Sequence, residues 1–70
     1  MKFYVCMRVD VSREMCREFQ TFLAADNEYT AIVNNINTDQ YKNVLEVTKG
    51  RIDPAYGRIR HANFIPQRGG

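Results

Sequence analysis

Very little in this chain is equipped for chemistry. Among its 70 residues there are two cysteines, Cys6 and Cys16, and one histidine, His61. These three residues have no CxxC or HxxxH clip, so they form no zinc pattern, and no metal or cofactor is expected. Two cysteines are too few for a secreted disulfide scaffold, and the chain has no Asn-x-Ser/Thr acceptor. Cys6 falls on the strand face turned away from the expected helix and Cys16 flanks that helix's apolar stripe, so the expected state is two free thiols.

Long apolar runs are also lacking. No stretch is long enough to span a bilayer, and Met1-Lys2-Phe3-Tyr4-Val5 opens an alternating pattern, unlike a secretory signal. The expected location is cytoplasmic, and the initial Met with no tag or linker composition points to a complete small reading frame. A chain of this length buries only about 60% of the surface its unfolded form exposes. A substrate cavity of roughly 300 Å³ or more would remove core it can hardly spare, so an enzyme is not expected. The glycines Gly50, Gly57, Gly69 and Gly70 are too scattered for a phosphate-cradling loop. Glu14 and Glu18, the nearest thing to a carboxylate pair, are offset by Arg13 and Arg17.

The chain does carry lopsided charge. From Lys49 onward five cations (Lys49, Arg51, Arg58, Arg60, Arg68) face one acid, Asp53, a net +4. The preceding 48 residues hold five cations against seven acids, a net −2. Such asymmetry marks a contact surface for an anionic partner, either nucleic acid or an acidic protein face.

Periodicity orders the elements. Phe3, Val5, Met7, Val9 and Val11 alternate with Tyr4, Cys6, Arg8 and Asp10, the pattern of a strand with one buried face. Ser12 is placed to cap a helix in which Met15, Phe19, Phe22 and Leu23 recur at helical spacing, ending near Ala25 ahead of the turn formers Asp26 and Asn27. Tyr29 to Ile36 is β-branched and aromatic, and reads as a second strand. Residues 38–45 fit either a short helix capped by Thr38 or a loop; the loop is favoured, with a strand from Val44 to Arg51. Asp53-Pro54-Ala55-Tyr56-Gly57 is a reversal, and a last strand runs from Arg58 to Ile65 before Pro66.

The expected fold is therefore α+β: one domain over residues 1–66 with a flexible tail at 67–70, strands and helix in the order β-α-β-β-β, and one amphipathic helix packed on one face of an antiparallel-rich sheet. The other face, with Tyr4 and Arg8, is left uncovered and open to a partner or a homodimer. The basic hairpin is the candidate site. Lys49, Arg51, Tyr56, Arg58, Arg60 and His61 would meet the partner, guanidinium groups interleaved with aromatic rings. The competing reading is that these cations only guard an edge against pairing with other chains. The expected function is non-catalytic binding, as a small inhibitor or adaptor of the phage or mobile-element kind docking on a protein or nucleoprotein complex. The alternative is a small nucleic-acid-binding module using the same hairpin. The general excess of +2 is modest for a dedicated nucleic-acid binder, which tips the balance to a protein partner.

Overall fold

The computed structural model describes residues 1–67. Two strands, β1 (Lys2–Asp10) and β2 (Arg13–Phe19), form a hairpin that leads into α1 (Phe22–Asn34). A single 3-10 turn (Asp39–Tyr41) follows, and then β3 (Glu46–Asp53) and β4 (Gly57–Phe64). The sheet is antiparallel throughout, in the order β2-β1-β3-β4. One helix lies on one face of it, as the α+β reading anticipates.

The order along the chain is β-β-α-β-β, so two segments exchange roles relative to expectation. Residues 13–19, expected as helix, are a strand. Their parity carries the reason: Arg13, Met15, Arg17 and Phe19 share one face, and Glu14, Cys16 and Glu18 the other. This is a period of two, which the helical spacing of Met15, Phe19 and Phe22 imitates. Residues 29–34, expected as strand, belong to the helix. Thr21 caps it, its hydroxyl accepting from the Ala24 amide at 3.1 Å. Ala25, Tyr29, Ile32 and Ile36 then turn inward at helical spacing. Asp26, read as a breaker, sits on the helix because it reaches Lys49 on β3. The ambiguous 38–45 stretch is the 3-10 turn followed by a loop, and β3 starts at Glu46.

The core lies between α1 and the odd-numbered face of β1. Val5, Ala25, Ile32, Ile36, Val44 and Val47 are buried there, with Phe3, Met7, Val9, Phe19, Tyr29, Tyr41 and Phe64 packed around them. Val47 has no exposed surface at all, and burying a valine contributes about 1.5–3 kcal/mol. No described helix is long and apolar enough to cross a membrane. From Arg68 on, the expected tail lies outside the described residues.

The cysteines correct a second expectation. Cys6 and Cys16 are directly opposed partners of β1 and β2 and form a disulfide, with Cα atoms 4.0 Å apart. So close a separation belongs to the non-hydrogen-bonded pairs of an antiparallel ladder, whose side chains project to the same side. Once residues 13–19 are a strand instead of a helix, both sulfurs fall on one face and the objection to a bridge disappears.

Candidate functional site

The β3–β4 hairpin is closed by local chemistry. Asp53 Oδ1 accepts from the amides of Ala55 at 2.7 Å and Tyr56 at 3.0 Å. These two bonds, Tyr56's first and Ala55's next, hold the Asp53 carboxyl below its ordinary value. Gly57 follows at φ 79°, a left-handed conformation that glycine takes without Cβ penalty, and opens β4. Tyr56 stands at the tip, 84% exposed.

Alternation along the strands divides the predicted cations between the two sides of the sheet. β3 pairs Val5 with Lys49 and Phe3 with Arg51, which places both basic residues on the helix side. Arg58 pairs with Ile52 and Arg60 with Gly50, on the open side. The register shifts where Lys49 pairs with Ala62, and His61, two residues beyond Ile59 opposite Arg51, falls by alternation on the helix side. There its ring lies 6.4 Å from that of Phe22, and Arg51 Nη1 approaches its Nε2 at 3.5 Å.

Their availability differs as well. Lys49 is absorbed into the packing of α1: it pairs with Asp26, lies 4.8 Å from the Tyr29 ring centre, and its side chain is only 17% exposed. Arg58 crosses the open face with its guanidinium 5.1 Å from the Tyr4 ring centre and 3.7 Å from Glu14 Oε1. Arg60 is exposed and has no ion-pair partner among the described residues. The helix side adds Phe22, half exposed and edge-on to Phe3 at 6.0 Å. Sequence reasoning passed over Phe22 as a contact residue because it was assigned to the apolar stripe of a helix that ends earlier.

Among the described residues no second layer covers the open face, yet it is not an apolar surface. Lys2 pairs with Glu18, Arg8 with Glu46 and Arg58 with Glu14, at 3.5, 3.3 and 3.7 Å. Beneath these arms Tyr4 and Cys6 are almost fully buried. Gly50 makes room for the Tyr4 ring: a Cβ there would lie 2.8 Å from the Tyr4 hydroxyl and 2.1 Å from the Ile59 carbonyl oxygen. Tyr4 and Arg8, considered as an alternative docking face, are therefore engaged within the sheet. A shallow hollow of about 230 Å³ lies at the β1–β2 turn, lined by Arg8, Val11, Ser12, Arg13 and Glu14. Cys6 and Cys16 share the open face while His61 lies on the opposite side, so the three candidate ligands considered from sequence do not converge. No protein-family model, curated protein or solved structure matches this chain.

Proposed function

We propose that this chain acts without catalysis, as an inhibitor or adaptor whose β3–β4 hairpin inserts into an acidic cleft of a partner protein or nucleoprotein complex. The observation that carries this reading is the division of the hairpin's cations. Arg58 and Arg60 point to one side, Arg51 and His61 to the other, and an exposed Tyr56 leads at the tip. A nucleic-acid strand laid along one face would meet only half of them. A cleft that encloses the hairpin meets both halves and buries the aromatic tip, and tyrosine and arginine are the residue types that dominate interface energies.

The test compares capture of a partner from nuclease-treated cytosol by the wild type, by Arg51→Glu and by the double variant Arg58→Glu, Arg60→Glu. Loss of the same partner from both variants, and from Tyr56→Ala, is the expected result. If reversal on one side leaves capture intact, the enclosing cleft is wrong. Arg60, exposed and without an ion-pair partner among the described residues, supports the alternative of a one-sided nucleic-acid contact. Two phosphate contacts would give a log–log salt slope of about −2.

A further inference from the structure

On the open face, remote from the hairpin tip, Cys6 and Cys16 are joined by neighbours able to hold a metal ion. Glu14 precedes Cys16 by two residues on β2, so the pleat puts both side chains on the same side, and Cys16 Sγ lies 3.6 Å from Glu14 Oε1. The ligand atoms of Cys6, Glu14 and Cys16 all fall within 4.8 Å of one another. We propose that the reduced protein binds one thiophilic divalent ion of the zinc class through Cys6 Sγ, Cys16 Sγ and a Glu14 carboxylate oxygen, and that the disulfide is the closed form of this site.

Geometry and charge both favour it. Two thiolates on a tetrahedral ion, at about 2.3 Å from the metal, stand about 3.8 Å apart. The Cα atoms are already 4.0 Å apart, so side-chain rotation opens the sulfurs to that distance without moving a strand. Cys6 is buried against the sheet while Cys16 and Glu14 are exposed, so the ion would sit at the surface with its fourth position turned to water. A divalent ion with two thiolates and one carboxylate carries a net charge of −1. The Arg58 guanidinium, 3.7 Å from Glu14 and held over Tyr4, is fixed where it offsets that charge.

Opening the site consumes two equivalents of a thiol reductant. Two electrons pass to the Cys6–Cys16 bond, the reductant leaves as its own disulfide, and each sulfur takes a proton. The metal then displaces both thiol protons to solvent.

The probe is cadmium ion, added to the full chain after reduction and removal of the reductant, with binding read from the ultraviolet thiolate-to-cadmium charge-transfer band. A band that saturates at one ion per chain, is absent from the oxidised protein and is lost in Cys16→Ser is the expected result. Glu14→Gln keeps both thiols and is expected to weaken binding by about tenfold or more. No band in the reduced wild type would overturn the proposal, as would saturation at half an ion per chain, which means an ion shared between two copies. Unchanged affinity in Glu14→Gln would overturn it too, because a bare or unfolded dithiol would chelate equally well.

Discussion

Reducing the Cys6–Cys16 bridge is expected to lower the stability of this domain by about 2.7 kcal/mol, the chain-entropy value for a loop of this span. The bridge joins residues 10 apart in sequence, and the cost of closing such a loop is lifted from the unfolded chain when the bond is cut. Very little is lost from the folded state, because β1 also pairs with β3 along Lys2 to Arg8 and its apolar face stays under α1. A chain of 70 residues has an unfolding entropy of about 150 cal/mol/K, so the midpoint of thermal unfolding should fall by about 18 °C. In urea, with a slope of about 1 kcal/mol/M for so small a domain, the midpoint should fall by about 2.7 M. The assay is urea and thermal unfolding followed by circular dichroism, with and without a phosphine reductant. Thiol titration of the denatured, unreduced chain provides the control and should find no free thiol. A loss below about 1 kcal/mol would refute the reasoning, since the unfolded hairpin would then already hold the two strands together without the bond.

Gly50→Ala should destabilise by about 1–3 kcal/mol, because the new methyl group meets the Ile59 carbonyl oxygen at 2.1 Å and the Tyr4 ring beside it; urea unfolding measures this, and a neutral result would mean that β4 yields freely. Lys49→Met should lower thermal stability by removing the partner of Asp26, yet leave partner capture unchanged at temperatures where the variant is folded; loss of capture there would return Lys49 to the interface. The carboxyl of Asp53 has a folded pKa below its unfolded value of 3.8, so the stability it contributes is present above that pH and is lost as pH falls through the folded value. Acid titration of stability should therefore be flatter below about 3.8 in Asp53→Ala than in the wild type, and an identical acid limb would show that the turn does not depend on the carboxylate.

Several features were legible in the residues themselves. The alternation from Phe3 to Val9 marked β1 and its buried face, and Asp53-Pro54-Ala55-Tyr56-Gly57 marked the second hairpin, because turn chemistry and a period of two are local properties. The class, one helix on an antiparallel sheet, was reached with the helix expected over Ser12 to Ala25, whereas α1 occupies Phe22–Asn34. The assignment of residues 13–34 was not legible, since that stretch carries two overlapping patterns. Met15, Phe19 and Phe22 fall at helical spacing, while the sorting of Arg13 and Arg17 from Glu14 and Glu18 by parity argues for a strand. The decision rests on partners distant in sequence: Arg8 and Tyr4 across from Glu14 and Glu18, and Lys49 reaching Asp26 on the helix.

The candidate site divides in the same way. Its composition, four cations (Lys49, Arg51, Arg58, Arg60) and a tyrosine around one turn, is written in the chain from Lys49 onward. Which side of the sheet each cation occupies depends on strand register, which puts Arg51 and His61 on the helix side and Arg58 and Arg60 on the open side. Lys49 was withdrawn from the surface by a helix whose own signals, the Thr21 cap and the spacing of Ala25, Tyr29 and Ile32, were masked by the competing helical spacing of Met15, Phe19 and Phe22. The disulfide and the Glu14 beside it became neighbours only when residues 13–19 paired with β1. Local sequence determined turns, alternation and net charge, because those act within a few residues; tertiary structure decided faces, ion pairs and sulfur contacts, because each requires two segments to meet in one register.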